Sequence, residues 1–508
     1  MFHCFSAPCR CSFCLLNQCL FHGTIRGSMS QSVAKNTLFM TGASVVQKII
    51  SFAYFTLVAR SIGAEGTGKY FFALSFTTIF VVFVDLGLTN IFIREGAKGR
   101  EYIQKYFSAI LALKGIFSIV AYLAVLASIT LMGYSAETRQ LVYLSGITMI
   151  FDSFHLTGYG VLRALGRLRY EAIGIIMSQL LTLVLGSLFL MLRMPLVFLI
   201  LAFTIPSAIN LGYVFFIVYK KFHIIPMPRF DALTSQFLIP LAVPFALAAI
   251  FARLYSSADT ILLSKLAGDT AVGWYSIPYK ITFAFQFIPL ALIAALYPKL
   301  SQYFVSNKER LVQLFILGMK YLFLVSLPIA IGIGILARDI IFLLYTPEYE
   351  PSVLPLQILI ASLVFSFVSF STGAMLNACN RQKIQTTILG FVMVANILLN
   401  VLLIPRLGIT GAAIAAFIGN MLLAILGYIF VSKIAPLPHQ KICFDFSKIL
   451  IAGLAMGLVV FYMKTHVPLV LAVAIGVCVY PFCLFLTRAL THDHLKEAWG
   501  LVFLRRTM

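Results

Sequence analysis

Residues 409–432 read ITGAAIAAFIGNMLLAILGYIFVS, and this stretch contains no charged side chain. At a rise of about 1.5 Å per residue, an α-helix of this length crosses the hydrocarbon core of a bilayer. A barrel strand would be shorter and would alternate apolar with polar residues. Fourteen such apolar segments occur along the chain: 37–58, 70–93, 107–132, 141–162, 172–192, 196–219, 237–263, 274–297, 314–337, 353–378, 384–405, 409–432, 448–464 and 467–487. We therefore predict an all-α membrane protein with about fourteen transmembrane helices.

The composition agrees with an outer surface that faces lipid. Hydrophobic residues make up 61% of the chain, charged residues only 11%, and mean hydropathy is +0.98, whereas a soluble domain carries about 25% charged residues. The net charge of +21 is explained by the Lys and Arg that membrane proteins concentrate in cytoplasmic loops, so nucleic acid is not an expected partner. The nine cysteines fall into an N-terminal group and a scattered remainder, which is not a disulfide framework.

The first 28 residues differ in character from everything that follows. They read MFHCFSAPCRCSFCLLNQCLFHGTIRGS, and their apolar stretch is broken by Asn17 and Gln18. That pattern makes a poor signal peptide, and no second cluster follows that would complete a metal site. From Met29 the chain reads as a polar lead into a first membrane helix, so we expect residues 1–28 to be a non-native extension.

Lys and Arg are unevenly divided between the two sets of loops. The clusters at 94–105, 163–169 and 220–229 all fall on one side of a fourteen-helix arrangement. Because basic loops stay cytoplasmic, we predict a multi-pass protein of the cell inner or plasma membrane with both termini in the cytoplasm.

Two pairs of short motifs indicate an internal repeat. Residues 62–70 and 267–275 both contain Gly-x4-Gly-x-Tyr after predicted helices 1 and 7. Residues 162–169 and 376–383, at the ends of predicted helices 4 and 10, share a different pattern, Leu-x-Ala-x2-Arg. Both pairs join segments that are six helices apart, which predicts two six-helix bundles in parallel pseudo-repeat with two C-terminal helices appended. The expected domains are 1–28 (extension), 29–219 (N-terminal lobe), 220–236 (cytoplasmic linker), 237–432 (C-terminal lobe) and 433–508 (two further helices and a tail).

Several motifs at helix ends connect this pattern to a known family. They are Asn36-Thr37-Leu38, Ala59-Arg60-x2-Gly63-x4-Gly68-x-Tyr70, Asp85-x-Gly87-Leu88 with Arg94-Glu95, Asp259-x-Ile261-Leu262-x2-Lys265 with Gly273-x-Tyr275, and Leu376-Asn377-Ala378 with Arg381-Gln382-Lys383. Over about residues 33–487 the chain resembles the multidrug/oligosaccharidyl-lipid/polysaccharide exporter superfamily, and within it the polysaccharide-transporter branch of O-antigen flippase-like proteins. The resemblance implies two bundles around a central cavity lined by helices 1, 2, 7 and 8. It also implies alternating access, with transfer of a polyprenyl-diphosphate-linked oligosaccharide from the cytoplasmic to the outer leaflet.

Five basic residues fall inside predicted helices, where an unpaired charge costs several kcal/mol unless it faces a cavity or a partner. They are Lys48, Lys114, Arg253, Lys280 and Lys320. The repeat places Lys48 and Arg253 at equivalent positions, so we predict that they bind an anionic substrate such as a diphosphate, joined by Lys280. The alternative is that each has a structural acidic partner. Lys114 and Lys320 lie near predicted cytoplasmic helix ends and are expected to snorkel.

Asp85 and Asp259 are taken as the only acids clearly within helices. They are candidates for coupling transport to protons or sodium, and a structural pairing role is the favoured alternative. A cytoplasmic basic rim reflects topology, or attracts anionic head groups; it consists of Arg163, Arg167, Arg169, Arg381 and Lys383.

No catalytic constellation, metal site or cofactor motif is found, because His155 and His223 stand apart from any nucleophile motif and the loops are short. We therefore expect a transporter rather than an enzyme. Its expected partners are a lipid-linked glycan, membrane lipids, and a glycan polymerase or glycosyltransferases. A cation-coupled multidrug exporter, a lipid II flippase and a membrane enzyme of polysaccharide assembly remain alternatives.

Overall fold

Helices form every regular element of the computed structural model, which describes residues 12–489 and the side chains of residues 39–489. Their bounds are α1 Ser12–Asp85, α2 Leu88–Gly96, α3 Arg100–Leu131, α4 Ala136–Ala164, α5 Leu168–Met191, α6 Leu196–Phe222, α7 Ala232–Ala267, α8 Asp269–Ala284, α9 Phe287–Ser306, α10 Lys308–Ile335, α11 Ala337–Leu344, a 3₁₀-helix Pro347–Ser352, α12 Val353–Ala378, α13 Gln382–Leu407, α14 Ile409–Ser432, α15 His439–Met463 and α16 Leu469–Leu486. The predicted all-α membrane class is confirmed. We expected residues 1–28 to be a non-native extension, with the native chain starting at Met29. Residues 1–11 and all side chains before residue 39 lie outside the described part of the chain, so this stays a prediction.

Twelve helical stretches in the described part of the chain are long and apolar enough to cross a membrane. The first, Phe39–Asp85, contains two predicted segments joined end to end. Helix α4 is not among the twelve because polar side chains, including Asp152 and His155, lower its hydropathy. Counting Phe39–Asp85 as two spans and adding α4 gives about fourteen helices in the described part of the chain, as predicted.

Helices 2 and 8 of the predicted set are each broken near the middle. The first break follows Asp85, where Leu86 and Gly87 have φ of 42° and 77°. The second separates α8 from α9 at Phe285 and Gln286. Gly87 has a structural reason to be glycine, because a Cβ there would lie 2.8 Å from the Cβ of Phe245 in α7. The Asp-x-Gly motif of Asp85 and Gly87 indicated a bend at the first break, whereas the apolar run concealed the second. Each break divides its predicted helix into two shorter helical segments.

Two groups of helices account for most of the packing. Helices α1 to α6 pack among themselves, and α7 to α10 pack with α12 to α14; we call these the N-terminal and C-terminal lobes. Helix α15 packs against α10 and α16 and belongs to neither lobe. The lobes meet where α1 contacts α7 and α8. The domain boundaries expected from the sequence, 29–219 and 237–432, remain predictions.

The pseudo-repeat is visible in the backbone of two turns. Between α4 and α5, Gly166 has φ of 66° and the amide of Arg167 donates to the carbonyl of Leu162 at 2.8 Å. Between α12 and α13, Asn380 has φ of 59° and the amide of Arg381 donates to the carbonyl of Leu376, also at 2.8 Å. Both are Schellman-type helix ends, with Gly or Asn in the left-handed position that these residues tolerate best. The matched sequences therefore fold into matched turns.

The connection between the lobes is shorter than the expected linker 220–236. Helix α6 ends at Phe222 and α7 begins at Ala232. Asp231 caps α7, since its carboxylate accepts hydrogen bonds from the amide of Leu233 at 3.1 Å and the hydroxyl of Thr234 at 2.5 Å. The hydrogen bond from the Thr234 hydroxyl is the main reason that the pKa of the Asp231 carboxyl lies below its usual range. Such a cap gives an acceptor to a backbone amide of the first turn, which has none within the helix.

Candidate functional site: a cation cluster between two lobes

The two glycine motifs of the repeat cross each other at one end of the bundle. Gly63 and Gly268 share an unusual backbone, with φ, ψ of 70°, −179° and 86°, 177°. A Cβ at Gly68 would lie 1.8 Å from the carbonyl oxygen of Asp269, and a Cβ at Gly273 would lie 1.9 Å from that of Ala64. These contacts are equivalent under the repeat. We call the segments 63–68 and 268–273 the glycine crossing; it brings the lobes together backbone to backbone.

The 3₁₀-helix of the C-terminal lobe reinforces the glycine crossing. The carboxylate of Glu348 accepts a hydrogen bond from the amide of Ala64 at 2.9 Å. The hydroxyl of Tyr349 donates to the carbonyl of Ala59 at 2.9 Å and lies 3.0 Å from the hydroxyl of Thr67. Tyr349 is fully buried. The lobes are therefore tied at this end by hydrogen bonds as well as by close packing.

Lys48 and Lys280 lie together on aromatic faces between the lobes. The ammonium of Lys48, on α1, stands 4.2 Å from the ring centre of Phe283 on α8. The ammonium of Lys280, on α8, stands 5.2 Å from the ring of Phe55 and 5.5 Å from that of Phe71, both on α1. Each lysine therefore reaches across to the other lobe. Both ammonium groups therefore lie at the α1–α8 contact between the lobes.

Arg253 is the third predicted cation and lies on α7, where its side chain is exposed. Among the described side chains, no carboxylate lies within ion-pair distance of Lys48, Arg253 or Lys280. We call these three residues the cation cluster. The cation–π contacts bring Lys48 and Lys280 to one aromatic wall, in which Tyr279 and Phe283 stack with ring centres 5.8 Å apart; the place of Arg253 in the cluster stays a prediction from the repeat.

Lys114 behaves differently from the expectation that it snorkels. It is fully buried, and its ammonium lies 2.5 Å from the carboxylate of Asp85. It also donates to the hydroxyl of Thr89 and to the carbonyl of Ser153, both at 3.0 Å. The expectation was wrong because α3 begins at Arg100, well before the predicted 107, which places Lys114 about four turns inside the helix. Asp85 therefore has a buried cation as its partner.

Asp259 lies at the centre of a second buried polar group. Its carboxylate accepts hydrogen bonds from the hydroxyl of Tyr275 at 3.0 Å and from the amide nitrogen of Asn400 at 2.7 Å. The same nitrogen of Asn400 lies 3.1 Å from the side-chain oxygen of Asn396. One carboxylate and two amide side chains from α7 and α13 thus converge, a set of oxygen-rich groups with the chemistry to hold a hard monovalent cation or a proton.

A third acid within the helices was missed. Asp152 on α4 accepts a hydrogen bond from the hydroxyl of Ser207 at 2.5 Å and lies 3.6 Å from the ring nitrogen Nδ1 of His155. The statement that Asp85 and Asp259 are the only intrahelical acids was therefore wrong. The spacing of Asp152 and His155, three residues apart, puts both on one helical face and was the signal available in the sequence.

The five residues of the basic rim differ in their surroundings. Arg163 forms a bidentate ion pair with Glu171, whose side chain is 1% exposed. The other four are exposed: Arg167, Arg169, Arg381 and Lys383. The positions correspond between the lobes, because the rim follows the two Schellman turns. Glu171 gives Arg163 a structural partner that the sequence analysis did not identify.

The architecture is that of a polytopic transporter. Two helical lobes related by a repeat meet at the glycine crossing, and the cation cluster between them has no acidic partner among the described side chains. Solved structures agree on the fold. Lipid II flippase MurJ in an inward closed conformation superimposes with a TM-score of 0.74 at 15% identity, covering 89% of this chain and 99% of that one. An inward-facing multidrug resistance MATE family transporter of the MOP superfamily gives a TM-score of 0.64 at 16% identity, covering 81% and 98%.

The family follows from the sequence match. Residues 33–304 match the family of polysaccharide biosynthesis proteins, and residues 244–402 match the MatE family. The chain belongs to the polysaccharide biosynthesis protein family, and the resemblance to the polysaccharide branch of the multidrug/oligosaccharidyl-lipid/polysaccharide exporter superfamily is confirmed. It is a multi-pass membrane protein of a flippase and transporter family.

Named relatives are similar at low identity. Probable flippase AglR of Haloferax volcanii is 27% identical over 241 residues, 45% of this chain and 50% of that protein. Capsular polysaccharide biosynthesis protein CapF of Staphylococcus aureus is 22% identical over 414 residues, 79% of this chain and 100% of that protein. The match to AglR thus spans about half of that protein's length.

Proposed function

We propose that this protein translocates a polyprenyl-diphosphate-linked oligosaccharide from the cytoplasmic to the outer leaflet of the cell inner or plasma membrane by alternating access. The observation that carries the proposal is the cation cluster. Lys48 comes from the N-terminal lobe, while Arg253 and Lys280 come from the C-terminal lobe. An anion bound among them contacts both lobes at once, which is what a substrate must do if its binding is to bias their relative position.

The electrostatics of the cluster favour an anionic guest. Each cation–π contact with Phe283, Phe55 or Phe71 is worth about 0.5–2 kcal/mol. A cation held away from solvent costs several kcal/mol when it has no anionic partner. The aromatic faces therefore hold Lys48 and Lys280 in place without neutralising them. A diphosphate, which carries several oxygen acceptors, supplies the missing charge.

The alternative functions require different chemical groups in the substrate site. A cation-coupled multidrug exporter needs an acid that can receive cationic drugs. Asp85 is paired with Lys114, so Asp259, which accepts hydrogen bonds from the neutral side chains of Tyr275 and Asn400, is the acid that such a mechanism would use. A lipid II flippase needs the same diphosphate chemistry, so only transport of defined substrates separates it. Glycan transfer by the purified protein would support a membrane enzyme instead.

Two features bear on coupling and recruitment. The Asp259 group is the better candidate for binding a coupling proton or sodium ion, because Asp85 already serves as counterion to buried Lys114. The exposed part of the basic rim attracts anionic head groups to the cytoplasmic surface. A polymerase or glycosyltransferases that use the same lipid-linked glycan are the expected partners.

The test is transbilayer movement in liposomes. The full chain is reconstituted with a fluorescent polyprenyl-diphosphate oligosaccharide, and protection of the glycan from an external glycosidase is followed with time. Lys48→Ala and Arg253→Ala are compared with Lys441→Ala, which removes an exposed positive charge far along the chain. We expect the first two variants to slow transport by at least about tenfold each, the loss of one charge-assisted interaction, and Lys441→Ala to match the wild type.

The result has two clear readings. Folded Lys48→Ala and Arg253→Ala proteins that transport like the wild type would remove the cation cluster from the mechanism. Wild-type protein that moves a cationic dye but not the lipid-linked glycan would favour the multidrug alternative.

A further inference from the structure

A cavity of about 530 Å³ lies inside the C-terminal lobe, beside the cation cluster but separate from it. Helices α7, α8, α9, α12, α13 and α14 supply its walls. The volume falls within the range of about 300–1,000 Å³ that small-molecule sites occupy. The proposed diphosphate site does not use this space.

Hydroxyl and amide groups line the cavity. Ser362, Ser366 and Ser369 all face it from α12, because the spacing i, i+4, i+7 puts them on one side of the helix. On the opposite wall, the hydroxyl of Tyr255 donates to the side-chain oxygen of Asn420 at 3.1 Å, and the amide nitrogen of Asn420 donates to the hydroxyl of Ser362 at 3.1 Å. These bonds fix the orientation of the polar wall before any ligand arrives.

The lining is mostly apolar, with hydroxyl and amide groups set among apolar and aromatic side chains, and it is almost uncharged. Of the described residues that line the cavity, Asp259 is the sole carboxylate, and neither Lys nor Arg occurs. The lining therefore suits a ligand that combines an apolar surface with several neutral hydrogen-bonding groups.

Aromatic rings connect this cavity to the cation cluster. Tyr279 and Phe283, which stack on each other, both line the cavity. The same wall meets the cation cluster, since the ammonium of Lys48 stands over the ring of Phe283. A ligand whose charged part lies on the cluster can thus place its next group in the cavity.

We propose that the cavity is a sugar subsite, which binds the sugar attached to the diphosphate of the lipid-linked substrate. The inference rests on the proposed function and extends it. Sugars present hydroxyl donors and acceptors around a ring whose apolar face packs on aromatic side chains, which matches the serine, amide and tyrosine lining. A phosphate would meet the carboxylate of Asp259 with neither Lys nor Arg among the described lining residues. The serine hydroxyls, which donate to backbone carbonyls of their own helix, keep acceptor capacity that a sugar hydroxyl can use.

The test measures binding of short prenyl diphosphates to the full chain in nanodiscs by calorimetry. One probe is the bare prenyl diphosphate, and three others carry N-acetylglucosamine, glucose or galactose on the diphosphate. We expect wild-type protein to bind at least one sugar-bearing probe about tenfold more tightly than the bare probe, the effect of one well-placed hydrogen bond or more. Ser366→Leu, which fills the cavity, should abolish that preference while leaving binding of the bare probe unchanged.

Three controls separate the possible failures. Ser366→Ala keeps the space and should retain part of the preference, and Ser187→Leu on α5 adds the same bulk elsewhere. Lys48→Ala should weaken all four probes alike. Binding of the bare probe with no sugar preference, or a preference that survives Ser366→Leu, would overturn the sugar subsite alone. Failure of the wild type to bind any probe would overturn the proposed function together with the subsite.

Discussion

Gly68→Ala should drive the lobes apart at the glycine crossing. The new Cβ would lie 1.8 Å from the carbonyl oxygen of Asp269, whereas such contacts in proteins stay above about 3 Å, so the two backbones must separate by at least ~1.2 Å. The neighbour is backbone and cannot rotate away. Overpacking of this kind costs about 1–3 kcal/mol, which shifts the ratio of closed to open crossing by roughly 5–150-fold.

The helical preference of alanine does not offset this effect. Replacing Gly by Ala inside a helix gains about 0.5–1 kcal/mol, but the gain applies to the open and the closed arrangement alike. Only the clash distinguishes the two arrangements. Gly273→Ala acts on the repeat-related contact, where the Cβ would lie 1.9 Å from the carbonyl of Ala64, and should shift the distribution in the same direction.

Pulsed electron resonance provides the assay. Spin labels on Ala136 and Leu343, exposed residues of different lobes at this end of the bundle, report the separation in a cysteine-free background. We expect a longer distance population in Gly68→Ala and Gly273→Ala. Gly212→Ala is the matched control, because a Cβ there meets no atom within 4 Å. Unchanged distances in both variants would refute the idea that the crossing holds the lobes together.

Three further outcomes follow from individual contacts. Lys114→Met leaves Asp85 without its buried partner and should lower the free energy of unfolding by about 3–5 kcal/mol, measured by thermal melting. The double variant Asp85→Asn with Lys114→Met should recover part of that loss. Full stability of Lys114→Met alone would contradict the pairing. Glu171→Gln removes the charge opposite Arg163 and should cost about 1–3 kcal/mol in the same assay. Tyr349→Phe loses two hydrogen bonds at the glycine crossing and should increase the open population in the spin-label experiment by about tenfold; an unchanged population would assign Tyr349 to packing alone.

The sequence predicted long uninterrupted helices well and interrupted ones poorly. Residues 409–432 coincide with α14 because Gly408, with φ of 56°, punctuates its start. The break between α8 and α9 was missed because Phe285 and Gln286 interrupt an otherwise apolar run without a glycine or proline at the break. A periodic apolar pattern indicates which side chains are buried in lipid or protein, but it does not indicate where a helix bends.

The basic residues inside helices were identified from the sequence, but Asp152 was missed and the partners of the charges were only partly foreseen. The repeat placed Lys48 and Arg253 at equivalent positions; the structure puts Lys48 over the ring of Phe283 and leaves Arg253 exposed on α7. The partner of Lys114 depends on packing between α1, α3 and α4, which no single-sequence pattern specifies. The cavity in the C-terminal lobe was missed because its lining comes from six helices, although the spacing of the serines on α12 can be read from the sequence.

The amide of Ala64 sets a condition on any separation of the lobes. At the bend formed by Gly63, this amide donates to the Glu348 carboxylate of the other lobe. When the lobes part, both groups must be hydrated, because an unsatisfied amide in hydrocarbon costs several kcal/mol. Opening therefore requires water to enter between the lobes as they separate, so this end of the bundle belongs at the membrane–water boundary. Dehydrating conditions at that surface should slow opening without altering substrate affinity.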